Sequence, residues 1–555
     1  MAELNQIFLW GAILLCAFAV FKNHIYTEDK KVLIYTENLS DKVYYVLLGA
    51  LILLALGVRV YNFGAVPGGF NQDGAMAAVD AKALADYGTD RYGMHMPVHL
   101  TAWGYGQMSS LLSYMMAFSI KMFGFSAGIV RIPTLLMSMV GILCLHFLTK
   151  DVFGRKTALV ILFFAAINPW HIMQSRWALD CNLYPHFFIL GVYLLNKGLE
   201  KKRYLYMAMV AFGLCMYCYG ISIYTLPVFL VIACIYLIII KKITLKDALL
   251  SAGVYLLVAW PFILTMMVNF FQWKTISTPF FTIPYFPYSV RSNDILFFSK
   301  DIWKQLGANF NSLLNTTFRQ AKDLPWNDMY YYGTIYLFSM PFVVLGIVDF
   351  FRNHRQKAGA VLMFVFLCTG LWAGLATNGV NVNRINIVYY PIIIMAGLGI
   401  CYCLKWLAPV KWSVFAAYTI AFILFSVNYF TVHAETLEGH FFKNFGEAVI
   451  DLKDSSAEKL YITADSQYKG SANVSEILTL FYHEIDAEYY QGKKEISGLL
   501  PFRERYTFKS IGKLQIDHSE NAAYVVTESD LACFPNDLYS FTQYGNYFVV
   551  ERIYE

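Results

Sequence analysis

Apolar runs recur along most of the chain, and each is near the roughly 20 residues needed to cross a hydrocarbon core about 30 Å thick. A soluble core has no use for so many. The sequence is 58% hydrophobic and 15% charged, against the roughly one-quarter charged composition of soluble domains. The runs hold Gly, Pro and aromatic residues and lack strict alternation, so they read as helices rather than barrel strands. The expected class is an all-α polytopic membrane protein.

About twelve spans are expected, at 1–21, 44–61, 127–149, 157–171, 181–196, 204–220, 223–240, 247–268, 331–350, 358–376, 384–404 and 412–430. Basic residues orient them, because loops rich in Lys and Arg stay cytoplasmic. The first loop carries Lys22, Lys30, Lys31 and Lys42. Five later connections (Lys150/Arg155/Lys156, Lys197/Lys201/Lys202/Arg203, Lys241/Lys242/Lys246, Arg352/Arg355/Lys357 and Lys405/Lys411) fall on the same side. Counting 107–123 as a span would turn all five outward, so that segment is expected to lie on the outer surface as an interfacial helix. Residues 1–43 are then an extra N-terminal helix and cytoplasmic loop. Residues 44–430 form the membrane core.

Three polar pieces share the outer side. The first is the loop at 63–126, whose stretch from Val66 to Gly106 holds Asp73, Asp80, Lys82, Asp86, Asp90, Arg91, His95 and His99. The second is 269–330, too long for an ordinary connector. The third is the tail at 431–555. Strand-like runs at 459–464, 505–511, 522–527 and 547–554, with a helical pattern at 474–483, fit one small α/β extracytoplasmic domain.

Asp73 lies in a Gly-Gly-Phe-Asn-Gln-Asp-Gly turn just before a good helix former, Ala75 to Ala85. A partly desolvated carboxylate at a lipid surface suits a general base. The plainer reading is an Asp capping a helix that starts at Gly74 or Ala75. Asp80, seven residues on, shares a face with Asp73 if the helix extends back that far. Arg59, Arg131, Arg176, Asp180 and Arg384 sit at the outer ends of spans. Intramembrane ionisable residues are costly and often functional, and a guanidinium suits a phosphate. Arg176 and Asp180, at i and i+4, also read as a structural pair. Pro97 between His95 and His99 argues against a helical metal site, so no metal ligands are assigned. A divalent metal stays open but has no support in ligand spacing. There is no GxxxxGK[ST], GxGxxG or HExxH motif, which leaves no nucleotide cradle. The net charge of +5 is too small to suggest nucleic acid.

The order of these parts resembles the first outer loop of C-fold (GT-C) glycosyltransferases that use polyprenyl-phosphate sugars. That group includes the protein O-mannosyltransferases of glycosyltransferase family 39 and the aminoarabinose transferases of lipid A. The residues that carry it are Arg59-Val-Tyr-Asn-Phe-Gly, the Pro-containing turn, Asp73, the Ala-rich helix ending at Gly88, and Pro97. Phe123-Gly-Phe-Ser-Ala-Gly-Ile-Val-Arg-Ile-Pro-Thr, Phe153-Gly-Arg-Lys, Asn168-Pro-Trp, Arg176-Trp-Ala-Leu-Asp and Asn383-Arg-Ile-Asn-Ile-Val-Tyr-Tyr-Pro are similar landmarks.

The resemblance implies an inverting transferase in the plasma membrane, acting on its outer face. Its partners would be a polyprenyl-phosphate-linked sugar donor, a glycan, lipid or protein acceptor, and the bilayer. It implies that Asp73 is the base. Members commonly carry Asp-Glu there, whereas this chain has Asp73-Gly74, so Asp80 is the candidate for the missing second carboxylate. A basic residue before the surface helix is also missing, which leaves the lipid phosphate to Arg176, Arg384 and Arg131. The alternatives are a polyprenyl-lipid flippase or transporter, and an oligosaccharyltransferase or ligase using a pyrophosphate-linked donor. A transporter would predict inverted repeats and midplane charges, which the sequence lacks.

Overall fold

A computed structural model describes residues 2–26, 39–104, 106–287, 301–465 and 471–553. Lys30 and Lys31, and Tyr554 at the end of the last expected strand, lie outside the described residues. Eight helices there are long and apolar enough to cross a membrane. They are Ala2–Asn23, Asp41–Val60, Ile129–Phe153, Ser222–Ile239, Leu245–Phe270, Ala358–Ala376, Val382–Trp406 and Lys411–Phe430. We call Ala2–Tyr26 helix α1 and Asp41–Val60 helix α2.

The other four expected spans coincide with shorter helices, and the punctuation has local causes. The run at 157–171 breaks after Ala166, where Asn168 caps a new helix through His171 N at 3.0 Å and Pro169 takes its first position. The run at 181–196 becomes regular helix only at Tyr184, with Pro185 at the start. The run at 204–220 is helical from Lys202 to Cys215. The run at 331–350 is a turn and a short 3-10 segment until Met340, again with a Pro at the helix start. Proline fits the first turn of a helix, where its missing N–H has no intrahelical partner to lose.

Close approach holds the bundle together. A Cβ on Gly346 would fall 1.8 Å from the Met395 carbonyl oxygen, and one on Gly399 1.9 Å from that of Phe342. The helices Met340–Asp349 and Tyr389–Trp406 therefore touch backbone to backbone, the arrangement that small residues allow inside membranes.

The expected basic connections gather at one end. Ion pairs there join Arg155 to Asp41 (2.5 Å), Lys197 to Asp151 (2.8 Å) and Lys202 to Asp247 (2.8 Å). The three polar pieces gather at the other end. The first loop contains helix α3 (Gln72–Tyr87), a hairpin of β1 (His99–Thr101) and β2 (Gln107–Ser109), and helix α4 (Leu111–Phe123). The second contains the small hairpin β3 (Ile276–Ser277) and β4 (Thr282–Ile283), then the amphipathic helix Ile302–Thr317, tied to the bundle by Asn309 Nδ2 donating to Leu375 O at 2.8 Å. Pro97 bridges to Thr282 and so joins the two loops.

The tail holds a five-stranded sheet in the order β6-β5-β7-β9-β8. Its strands are β5 (Lys459–Thr463), β6 (Tyr506–Lys509), β7 (Ala522–Thr527), β8 (Tyr539–Tyr544) and β9 (Tyr547–Arg552). β6, β5 and β7 are parallel, and β7, β9 and β8 antiparallel. Four of the strands lie where the sequence predicts them. β8 does not, because it is an edge strand of mixed polarity, with only Tyr539 buried. Helix Ala472–Tyr482 packs on α3, with the Phe70 and Phe481 rings stacked at 4.3 Å.

Candidate active site

Asp73 stands in the first turn of α3. Asn71, not Asp73, is the cap, its side chain accepting from Asp73 N at 3.0 Å. The capping alternative for Asp73 therefore falls away. The carboxylate is half-buried and lies at the positive end of the helix dipole. Its Oδ1 accepts the indole N–H of Trp103 at 2.5 Å, from the turn of the β1–β2 hairpin. Gly74 sits flush against the next element, since a Cβ there would come within 2.6 Å of the Ala178 carbonyl oxygen.

That neighbour leads directly to Asp180. Residues 175–179 leave helical geometry after the helix Pro169–Gln174, and Asp180 opens a short 3-10 turn with its Oδ1 accepting Cys181 N at 2.7 Å. Asn182 Nδ2 donates to Gln174 O (3.1 Å) and Trp177 O (3.3 Å), and Asn386 Nδ2 to Cys181 O (2.5 Å), which fixes the turn. The Cys181 thiol feels the charge of both Asp73 and Asp180. The Tyr219 hydroxyl feels Asp180, Cys181 and Arg384. Arg384 rises from the short helix Val382–Ile385 and donates to the carbonyls of Asn378 and Gly379 while remaining half-exposed. The close approach of Gly74 to Ala178 and the hydrogen bond from Asn386 to Cys181 thus bring together the three segments that carry Asp73, Asp180 and Arg384.

The other sequence candidates are engaged elsewhere. Asp80 does share the α3 face with Asp73, but it is fully buried. It pairs with Arg91 at 2.5 Å and accepts Arg91 N at 3.1 Å. Arg91 in turn donates to Thr101 O at 2.7 Å, so Asp80 pins the hairpin and has no lone carboxylate to offer as a second acid. Arg176 is also buried, and its guanidinium donates to the carbonyls of Val66, Val58, Arg59, Tyr61 and Asn62 at 2.6–3.2 Å. The expected pairing with Asp180 is not formed, because the backbone unwinds between them and i, i+4 spacing brings side chains together only on a helix. Arg131 donates to Gly64 O, Pro67 O and Gly69 O at 2.6–3.0 Å. Arg59 donates to Ala55 O, Ala165 O and Ala166 O, and to His171 Nδ1 at 3.2 Å from Nε. Arg131 and Arg176 thus clamp the entry of the first loop, and Arg59 ties α2 to the end of the helix Arg155–Ala166, satisfying carbonyls that would otherwise be buried unpaired.

Trp103 and Tyr219 were missed in the sequence. Trp103 had a signal, being a lone indole in the glycine-rich turn Ala102-Trp-Gly-Tyr-Gly between two short strands. Tyr219 is one tyrosine among 40 and had none. His95 and His99 do not act together. His99 is buried edge-on against Phe262 and Phe286, and burial lowers its pKa to about 4. His95 stands beside Gly88.

Fold and site define a polytopic membrane protein of the C-fold, with an ionisable cluster at the end of the bundle that carries the tail domain. Residues 109–268 match the family model of dolichyl-phosphate-mannose-protein mannosyltransferase. The chain superposes on ArnT from Cupriavidus metallidurans in its apo state with a TM-score of 0.53 at 11% identity, covering 92% of this chain and 97% of that one. ArnT bound to undecaprenyl phosphate gives a TM-score of 0.54 at 12% identity, with 93% and 99% covered. No curated protein matches the chain by sequence. The architecture is the one the sequence resemblance implies.

Proposed function

We propose that the protein is an inverting glycosyltransferase that moves a sugar from a polyprenyl-phosphate carrier to an acceptor hydroxyl on the outer face of the plasma membrane. The observation that carries the reading is the packing together, at the tail-domain end of a C-fold bundle, of the segments that carry Asp73, Asp180 and Arg384. The match of 109–268 to a dolichyl-phosphate-mannose transferase model and the likeness to a fold that binds undecaprenyl phosphate in ArnT favour a lipid-phosphate donor. The Lys- and Arg-rich loops at the opposite end favour an outward-facing site.

In this mechanism the acceptor oxygen attacks the anomeric carbon in line as its proton passes to the Asp73 carboxylate. The bond from that carbon to the phosphate oxygen breaks, and the electron pair leaves on polyprenyl phosphate. Arg384, the half-exposed guanidinium of the cluster, stabilises the charge that develops there. Asp180 supplies a second carboxylate beside the reacting centre, a place that Gly74 leaves vacant.

The test uses purified protein in nanodiscs with radiolabelled polyprenyl-phosphate sugars and a membrane extract as acceptor source. Label should move to a new product with wild type and not with Asp73→Asn. Transfer by the variant at the wild-type rate would remove Asp73 as base, and no transfer from any donor would remove the transferase reading.

A further inference from the structure

Between the first loop and the tail domain lies a cleft of about 530 Å³ that none of the residues discussed so far explains. Tyr92, Trp103 and Gly104 line one wall, and Asn473, Ile477 and Tyr490 line the other. We infer that this cleft binds a neutral saccharide, and, resting on the transferase reading, that this saccharide is part of the acceptor.

Size, chemistry and position support it. The volume falls within the roughly 300–1,000 Å³ of small-molecule sites, which favour the junctions between domains. The lining mixes aromatic and aliphatic side chains (Tyr92, Trp103, Ile477, Leu480 and Tyr490) with the polar ones of Thr101 and Asn473. A sugar ring has the matching character, with apolar C–H faces and hydroxyls around its edge. Aromatic side chains with polar tips suit such a ligand. The Tyr92 and Tyr490 rings meet at a centroid distance of 6.0 Å and pack the two walls together at one point.

The charge balance decides the class. Among the described residues two charged side chains reach the cleft, Arg91 and Glu476, and both are already compensated. Arg91 is held by Asp80 at 2.5 Å, and Glu476 accepts from Arg503 at 2.7 Å and from the Tyr490 hydroxyl at 3.0 Å. Among the described residues, a phosphorylated or carboxylated ligand would meet no uncommitted cation on these walls. A neutral one can use the Asn473 amide, which both donates and accepts. The cleft is also wired to the reacting centre, because Trp103 lines it while its indole N–H holds Asp73.

The experiment uses the full-length protein in nanodiscs, probed with an array of neutral oligosaccharides, anionic oligosaccharides and unmodified peptides. Asn473 is exposed at the rim, so Asn473→Trp fills the cleft mouth without entering the core. Wild type should bind neutral oligosaccharides, and Asn473→Trp should weaken that binding at least about tenfold, as expected for losing a well-placed contact and its pocket. Binding confined to anionic glycans or peptides overturns the inference, as does neutral binding that Asn473→Trp leaves unchanged, or no binding at all. Consumption of polyprenyl-phosphate sugar by the same nanodiscs, lost in Asp73→Asn, is measured in parallel. If it is seen without glycan binding, the cleft assignment alone fails. If glycan binds and no donor is consumed, the transferase reading fails and the cleft remains a glycan site.

Discussion

The indole N–H of Trp103 donates to Asp73 Oδ1 at 2.5 Å, joining the tip of the β1–β2 hairpin to the first turn of α3. A carboxylate on a helix can rotate about its side-chain bonds, and this contact selects one orientation. A hydrogen bond to a charged group contributes about 1.5–3 kcal/mol. Trp103→Phe should therefore lower kcat about 10- to 100-fold through misorientation of the proposed base, with little change in donor KM. Asp73→Asn should cost roughly 10²- to 10⁴-fold, the range of general-base contributions. Steady-state rates on one donor separate the two, and a Trp103→Phe effect confined to KM would show that the indole binds donor instead.

Gly74 makes a second prediction that runs against local propensity. Alanine is a better helix former than glycine, yet a Cβ at 74 would press on the Ala178 carbonyl at 2.6 Å. The backbone of α3 must shift, and overpacking of this kind costs about 1–3 kcal/mol. Gly74→Ala should lower both thermal stability and transfer. Gly74→Glu, which would create the Asp-Glu pair of the family the sequence resembles, should be worse rather than better. Melting temperatures and transfer rates of the two variants check this, and a more active Gly74→Glu would show that the helix tolerates the shift.

Hydropathy and loop charge made the membrane-spanning architecture legible, because both act over many residues. The cluster was legible only in part. Asp73, Asp180 and Arg384 come from segments more than a hundred residues apart in every pairing, and the chain marks them only as ionisable groups at the ends of apolar runs. Arg131 and Arg176 carry the same mark. What separates them is burial: Arg131 and Arg176 are sunk among the carbonyls of the segments at 58–69, whereas Arg384 stays half-exposed beside the carbonyls of Asn378 and Gly379. Asp80 has the correct face and spacing, but its partner Arg91 is reached only after the chain turns back at Gly88, which ends α3 in a left-handed conformation.

This distinction can be measured on Arg176 and Arg384. Arg176→Ala strands five carbonyl contacts in a buried place, and each buried group left unpaired costs about 1–3 kcal/mol. The expected phenotype is loss of folded protein, seen as a collapsed yield of monodisperse material in detergent. Arg384→Ala removes a half-exposed guanidinium, so folded protein should survive with donor affinity or turnover reduced about tenfold or more. Size-exclusion profiles and transfer assays on both variants suffice. A well-folded Arg176→Ala with weakened donor binding would return Arg176 to the phosphate site.

The loop also carries a pH signature. Burial, reinforced by the neighbouring Asp80, pushes Asp90 from 3.8 up to about 6. The folded state therefore holds this proton more tightly than the unfolded state does. The stabilisation is fully present below about pH 4 and is lost as the pH rises through about 6. A shift of roughly two units corresponds to about 3 kcal/mol at most. Asp90 Oδ1 accepts from Tyr92 N at 3.0 Å and Met94 N at 2.8 Å, and the amide oxygen of Asn can accept both. Asp90→Asn should therefore fold normally and lose this part of the pH dependence. Denaturation midpoints of wild type and variant, taken from about pH 4 to pH 7, should diverge with the variant gaining relative stability as the pH rises. The comparison isolates Asp90 from Asp328, which burial also pushes up to about 6 and which is present in both proteins. Parallel curves would mean that Asp90 stays ionised in the folded loop, with the backbone amides of Tyr92 and Met94 offsetting its burial.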